Sequence, residues 1–128
     1  MPIIIPLLLA AGCQASLRPL FTAIAQVESG GDPNAYNETE RAAGLYQLRP
    51  IYVQDVNRIV GEARFSLADR WDQAKAESMM RIYWQHYCGD GATWEQMARI
   101  HNGGPKGPEK RETEKYWQKV KKVLDSRK

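Results

Sequence analysis

The sequence predicts one mainly α-helical domain with at most a short β-hairpin. The chain has 128 residues, which is the size of a single domain. Its composition, 43% apolar and 26% charged, is that of a globular protein rather than a disordered one. Apolar residues recur at helical spacing along most of the chain, and clusters of glycine and proline separate these stretches.

The first predicted helix carries a carboxylate on its apolar face. Leu17, Phe21, Ile24 and Glu28 are spaced by four, three and four residues, and Gly-Gly-Asp-Pro at residues 30–33 ends the helix. On that face Glu28 loses water, and the dipole of the last turn also disfavours its negative charge. We therefore expect its pKa to be raised, as a general acid requires. The alternative is a helix-end glutamate that turns out to solvent.

The rest of the chain predicts further helices joined by loops. Residues 34–41 are polar and predict a loop, with a short strand or hairpin at residues 35–37. Thr93 followed by Gln96 is a capping box that begins one of the helices. The aromatic stretch from Trp71 to Cys88 predicts the central core helix. The predicted further helices span residues 42–48, 51–60, 71–88, 93–101 and 113–125.

The amino terminus predicts export. Residues 1–15 carry no charged side chain, and Ala-Ala-Gly before Cys13 resembles the processing site of a bacterial lipoprotein. We expect residues 1–16 to be an apolar leader or lipoprotein-type signal and residues 17–128 to be the domain. A lipidated Cys13 would attach the protein to a membrane. The alternatives are an apolar segment packed on the domain and, in an oxidising compartment, a Cys13–Cys88 bridge.

Charge and composition exclude several function classes. The net charge of +3 is too balanced for a chain that mainly binds nucleic acid. No apolar run approaches the roughly 20 residues of a spanning helix, which excludes a polytopic membrane protein. Two cysteines and two histidines give no metal-binding pattern, so we expect no metal and no cofactor.

The positive charge is concentrated near the carboxyl terminus. Residues 105–128 hold nine basic and four acidic side chains, whereas residues 1–104 hold nine basic and 11 acidic ones. The simplest interpretation is a solvated, lysine-rich terminal helix. The alternative is a helix that helps to hold an anionic polymer or a lipid surface.

Two clusters place polar side chains next to glycine. Residues 43–47, Ala-Gly-Leu-Tyr-Gln, combine a glycine that permits close approach with an amide that both donates and accepts. These properties suit sugar hydroxyls and acetamido groups, although a helix start with a packing glycine has the same pattern. Residues 100–105, Ile-His-Asn-Gly-Gly-Pro, place Asn102 where it either caps a helix or presents its amide to a cleft.

These clusters occur in order with Glu28-Ser29, Asn34-Ala35 and the segment Glu-Thr-Glu-Lys-Tyr at residues 112–116. Together they resemble the lysozyme-like catalytic domain of lytic transglycosylases of the soluble-lytic-transglycosylase type, distantly related to goose-type lysozymes. The resemblance spans roughly residues 17–124. It implies a lysozyme-like single domain that cleaves the β-1,4 bond between N-acetylmuramic acid and N-acetylglucosamine in peptidoglycan, with one glutamate and no metal.

The resemblance also implies roles for individual residues. Glu28 matches the catalytic acid/base, and Ser29 matches the hydroxyl that orients it. The sequence departs from the family pattern where Tyr46 replaces methionine, His101 replaces a supportive tyrosine and Gly103 replaces alanine. The implied substrate-binding residues are Ser29, Gly44, Leu45, Tyr46, Gln47, His101 and Asn102.

The implied reaction is a lytic cleavage. Protonated Glu28 gives its proton to the glycosidic oxygen and then accepts one from the C6 hydroxyl of the muramic sugar, which leaves a 1,6-anhydro end. One alternative is a lysozyme-type hydrolase, for which Asp32, Glu38 and Glu40 are candidates for the second carboxylate. Another is a catalytically inactive wall-binding module.

The resemblance also implies the partners and the location of an enzyme that acts on the bacterial cell wall. Peptidoglycan strands are the expected partner, and we expect a monomer that binds no nucleic acid. The expected location is the periplasm or the cell envelope, and both a bacterial and a phage origin fit the sequence.

Overall fold

The computed structural model describes residues 17–127. The predicted leader, residues 1–16, and Cys13 lie outside this part, so the leader and its lipidation stay predictions. Between residues 17 and 127, no helix is both long enough and apolar enough to cross a membrane. This part of the chain is mainly helical with one small antiparallel sheet, which confirms the predicted fold class.

Residues 17–127 form five α-helices and a two-stranded hairpin. The helices are α1 (Arg18–Ser29), α2 (Pro50–Val60), α3 (Gln73–Tyr87), α4 (Trp94–Gly103) and α5 (Arg111–Ser126). The strands are β1 (Tyr36–Asn37) and β2 (Ala42–Ala43), with Tyr36 opposite Ala43 and Asn37 opposite Ala42. Short 3₁₀ turns at Leu67–Trp71 and Gly107–Glu109 precede α3 and α5.

The helix ends follow the local sequence signals. Gly30 ends α1 with a left-handed backbone, φ 66°, and donates its N–H to the carbonyl of Gln26. The capping box at the start of α4 is confirmed, because the hydroxyl of Thr93 accepts from the N–H of Gln96 at 3.1 Å. In return, the side-chain oxygen of Gln96 accepts from the N–H of Thr93 at 2.8 Å.

The helix predicted over residues 42–48 is wrong. This stretch contains β2 followed by a tight turn, in which the backbone groups of Ala43 and Leu48 bond each other at 3.0 and 3.1 Å. Gly44 and Gln47 have positive φ values of 85° and 52°, which a right-handed helix cannot contain. A Cβ at Gly44 would lie 2.2 Å from the carbonyl oxygen of Arg70, so this turn requires glycine.

The core forms where α1 meets the other helices. Leu20, Phe21 and Ile24 of α1 are fully buried. The Phe21 ring packs against Trp84 of α3 with its centroid 5.4 Å away, and against Tyr46 at 5.8 Å. As predicted, α3 supplies much of the core, and its buried apolar residues are Ala76, Met79, Met80, Tyr83 and Trp84.

Trp71 differs from the other aromatic residues of the predicted core helix. It lies in the 3₁₀ turn before α3, with 40% of its surface exposed. Its ring lies 6.0 Å from that of Tyr36, which is also exposed. The predicted helix therefore began too early, because Asp72, and not Trp71, caps α3 by accepting from the N–H of Lys75.

A polar network joins the start of α1 to α3. The guanidinium of Arg18 donates to both carboxylate oxygens of Glu77, at 2.7 and 2.5 Å. The hydroxyl of Tyr46 and the amide of Gln73 also donate to this carboxylate. Burial pushes the pKa of Glu77 upward, but these hydrogen bonds outweigh it and hold the pKa below its usual value.

Candidate active site

A cleft of about 840 Å³ runs across the face of the domain. The last turn of α1, the hairpin, α2 and the end of α4 form its walls, and the first turn of α5 closes one side. Glu28, Gln47, His101 and Asn102 all line it. These four residues belong to three separate parts of the sequence, and the fold brings them to one cavity.

Glu28 is the desolvated carboxyl group of the cleft. Only 20% of its side chain is exposed, and Oε2 accepts a hydrogen bond of 2.8 Å from the hydroxyl of Tyr116. Burial raises the pKa of Glu28 to about 7. The bond from Tyr116 and the charge of Arg49 act against this shift, and the charge of Glu40 adds to it. A carboxyl group with such a pKa is a usable proton donor at neutral pH.

His101 lies beside Glu28 as a neutral ring. Its side chain is 2% exposed, and Nε2 lies 2.9 Å from the carbonyl oxygen of Tyr46 and 3.5 Å from Oε2 of Glu28. A bond to a carbonyl requires that Nε2 carry the hydrogen. Burial lowers the pKa of His101 to about 4, so the ring has no charge at neutral pH. His101 therefore contributes a fixed polar contact rather than a positive charge.

Aromatic rings make this side of the cleft apolar. Tyr52 of α2 stacks on Tyr83 of α3 with ring centroids 4.2 Å apart, and it meets the edge of His101 at 6.0 Å. Within residues 17–127, neither the hydroxyl of Tyr52 nor Nδ1 of His101 has a hydrogen-bond partner. Rings packed in this way exclude water, which accounts for the desolvation of Glu28.

Gln47 braces the turn that follows β2. Its side-chain nitrogen donates to the carbonyls of Ala35 and Gly44, at 3.1 and 3.0 Å. These bonds hold the left-handed backbone of Gln47 and fix the loop that forms one wall of the cleft. Because the nitrogen makes both bonds, the orientation of the amide is fixed, and its oxygen can accept a hydrogen bond from a ligand.

Glu40 is the carboxylate of the cleft whose charge acts on Glu28. Of the three candidates Asp32, Glu38 and Glu40, only Glu40 lines it. Its side chain is half exposed and forms an ion pair of 2.6 Å with Arg49. Asp32 instead accepts a hydrogen bond from the N–H of Asn34 in the loop before the hairpin. The cleft thus contains Glu28, whose pKa is raised, and the ion-paired Glu40, together with Asp55 and Glu112.

Residues 9–124 match the family model described as the transglycosylase SLT domain, a lysozyme-like domain. The chain belongs to this family. The match covers nearly all of the described residues and begins inside the predicted leader, at residue 9.

Known lysozymes are similar to this SLT domain in sequence and in fold. A lysozyme of Magallana gigas is 32% identical over 114 residues, which cover 84% of this chain and 81% of that protein. Invertebrate-type lysozyme 6 of Caenorhabditis elegans is 32% identical over 91 residues, covering 62% and 65% respectively. A chain in the crystal structure of Aeromonas hydrophila PliI in complex with Meretrix lusoria lysozyme superposes with a TM-score of 0.69. That superposition has 25% identity and covers 83% of this chain and 88% of that one.

Four residues that were predicted to bind substrate do not line the cleft of this SLT domain: Ser29, Gly44, Leu45 and Tyr46. The hydroxyl of Ser29 lies 2.8 Å from the carbonyl of Leu45 and 3.0 Å from that of Ala25, so it ties α1 to the turn. Leu45 packs against the core. Tyr46 is 1% exposed, because its ring packs in the core beside Phe21. Its hydroxyl donates to the carboxylate of Glu77.

Sequence reasoning missed the groups that set the chemistry of Glu28 in this SLT domain. Tyr116 occurred in a recognised motif but received no site role, and Arg49 and Tyr52 received none either. Tyr116 is 88 positions from Glu28, so no local spacing connects the two. The available signal was the inward face of α5, since Thr113, Tyr116 and Val120 share helical spacing and are all buried.

Proposed function

We propose that the protein cleaves the β-1,4 bond between N-acetylmuramic acid and N-acetylglucosamine in peptidoglycan, with Glu28 as the proton donor. The observation that carries the proposal is the desolvated carboxyl group of Glu28 in the cleft, with a pKa of about 7. The family match and the lysozyme relatives support a lysozyme-like activity on peptidoglycan. They do not distinguish a lytic transglycosylase from a hydrolase.

The contacts of Glu28 assign a role to each of its oxygens. Oε2 accepts from Tyr116, and His101 lies against the same oxygen. A proton on Oε1 preserves both contacts, so Oε1 delivers the proton to the glycosidic oxygen. The neutral ring of His101 holds its hydrogen toward Tyr46 and takes no part in the transfer.

A carboxylate near Glu28 supports hydrolysis as one route. Glu40 lines the same cleft and lies close enough to Glu28 to raise its pKa. Glycoside hydrolases use such a pair, one carboxyl as acid and one carboxylate as base or nucleophile. In this reaction Glu28 protonates the leaving oxygen, and the ion-paired Glu40 activates a water or stabilises the positive charge on the sugar.

The lytic route remains the second candidate, and the match to the transglycosylase SLT model favours it. Here the N-acetyl oxygen of the muramic sugar supports the charge at C1. Glu28, once ionised, takes the proton from the C6 hydroxyl, which attacks C1 and closes the anhydro ring. This route needs Glu28 but not Glu40.

Mass analysis of digested peptidoglycan tests both routes. Hydrolysis predicts fragments that are one water heavier than the anhydro fragments, and it predicts that Glu40→Gln slows cleavage by about 100-fold or more. Glu38→Gln is the matched control, since Glu38 lies in the same loop but does not line the cleft. Anhydro fragments with no effect of Glu40→Gln would replace hydrolysis with the lytic route.

The same samples test the inactive-module alternative. Wild-type protein should clear a peptidoglycan suspension, and Glu28→Gln should abolish clearing while it remains folded and bound to the wall. Binding without clearing by the wild type would overturn the enzyme proposal.

A further inference from the structure

The outer side of α5 carries a stripe of four basic side chains. Arg111, Lys115, Lys119 and Lys122 are spaced by four, four and three residues, which places them within about 80° of arc on the helix. All four are exposed. The opposite side of α5 packs into the core through Thr113, Tyr116 and Val120. We refer to these four cations as the basic stripe.

No carboxylate neutralises the basic stripe within residues 17–127. Its four side chains form no hydrogen bond or ion pair with these residues, and the ion pair on α5 joins Lys121 to Asp125 on the neighbouring side. Glu112 is directed to the cleft instead. Like charges four residues apart on a helix repel and destabilise it. The stripe therefore presents positive charge to solvent that no ion pair within these residues compensates.

The basic stripe begins at the edge of the cleft. Lys110, Glu112 and Thr113 line the cleft, and Arg111 lies between them at the start of α5. From Arg111 to Lys122 the stripe extends for about 16 Å along the helix axis. The basic stripe therefore starts beside residues that line the cleft and extends from there along α5.

We propose that the basic stripe binds the carboxylate groups of the peptidoglycan strand as it leaves the cleft. This inference rests on the proposed function and extends its substrate site. N-acetylmuramic acid carries a lactyl ether, and the stem peptide attached to it ends in free carboxylates, so a strand presents anions at regular intervals. A neutral glycan such as chitin has none.

A membrane surface fits the basic stripe less well. A helix that lies in a membrane interface needs an exposed apolar side next to its basic side. The fully buried residues of α5 are packed in the core, and the stripe consists of charged side chains alone. Charge complementarity to a carboxylate polymer is what remains.

The test compares two triple variants with the same net charge. Lys115, Lys119 and Lys122 are changed to Gln in one variant, and Lys75, Lys106 and Lys121 are changed to Gln in the other. Both are made in the Glu28→Gln background, and their binding to purified sacculi free of other wall polymers is measured by co-sedimentation at increasing NaCl. We expect the stripe variant to bind about tenfold more weakly at low salt, with a flatter salt dependence, and the control variant to bind like its parent.

Further measurements make the outcome specific. With Glu28 restored, the control variant should cleave peptidoglycan at the wild-type rate, while the stripe variant should lose rate on it. Equal binding of the two variants to sacculi would overturn the inference. So would a difference that occurs only with polyphosphate-bearing walls or with phosphatidylglycerol vesicles. Because sedimentation needs no cleavage, an inactive wild type with stripe-dependent binding would refute the proposed function and leave the inference standing.

Discussion

Glu28 and Glu77 are both largely buried carboxyl groups, but their pKa values shift in opposite directions. Glu28 lies in the last turn of α1, whereas Glu77 of α3 bonds Arg18 at the start of α1. Desolvation is the largest influence on both. Glu77 receives hydrogen bonds from Arg18, Tyr46 and Gln73, and its pKa is lowered. Glu28 receives one from Tyr116, and its pKa is raised to about 7. Burial alone therefore does not make a proton donor, because the number and charge of the donors decide the outcome.

Loss of catalytic activity should be the strongest consequence of a change at Glu28. Glu28→Gln should reduce clearing of peptidoglycan by about 1,000-fold, since the amide cannot supply a proton to the leaving oxygen. Circular dichroism should show an intact fold. Glu114→Gln, an exposed change on α5, is the control and should keep full activity. Substantial clearing by Glu28→Gln would end the assigned role of this residue.

Loss of the buried network around Glu77 should cost more stability than loss of an exposed ion pair. Glu77→Gln should lower the free energy of unfolding by about 2–3 kcal/mol, because Arg18 loses its carboxylate. Arg18 is half exposed, so water recovers part of the loss. Glu62→Gln breaks the exposed pair with Arg64 and should cost about 0.5 kcal/mol or less. Equal losses in urea unfolding would contradict the importance of the network.

The pH dependence of stability should have opposite signs at the two sites. A raised pKa at Glu28 means that folded-state stability is complete below the unfolded value and falls as pH rises from about 4.5 to about 7. Glu28→Gln should therefore be more stable than wild type by about 3 kcal/mol at pH 8, and equal to it near pH 4. The lowered pKa of Glu77 instead adds stability above its unfolded value, which is lost as pH falls through the folded one.

Thermal unfolding of wild type and Glu28→Gln across this pH range checks the sign. A variant that is less stable than wild type at pH 8 would mean that ionised Glu28 is well solvated in the folded protein.

The smallest expected effect is a displaced pH profile. Tyr116→Phe removes the hydrogen bond that holds the pKa of Glu28 down, so the alkaline limb of the activity profile should move to higher pH. Tyr87→Phe is a matched control, since its hydroxyl bonds Asp55 rather than Glu28. If the alkaline limb of the Tyr116→Phe profile lay at the same pH as that of wild type, this hydrogen bond would not lower the pKa of Glu28.

The spacing of apolar residues along the chain predicted most of the helices and the position of Glu28. Features that depend on contacts between distant residues could not be predicted in this way. The period of apolar residues places Glu28 on the inner face of α1, as the structure shows. The turn after β2 was wrongly assigned as a helix, because the left-handed backbone of Gln47 depends on bonds to Ala35 and Gly44. Spacing also did not predict the contact of Tyr46 with Glu77, because the two residues lie 31 positions apart.

A titration of the labelled glutamate carboxyl carbons by NMR tests the central claim most directly. In the same folded protein, Glu28 should titrate near pH 7 and Glu77 should titrate below the range of free glutamate. The assignment of each signal comes from its loss in Glu28→Gln and in Glu77→Gln. If the Glu28 signal titrated near pH 4.3, as in a solvated peptide, the cleft would hold no proton donor at neutral pH, and the proposed cleavage would be contradicted.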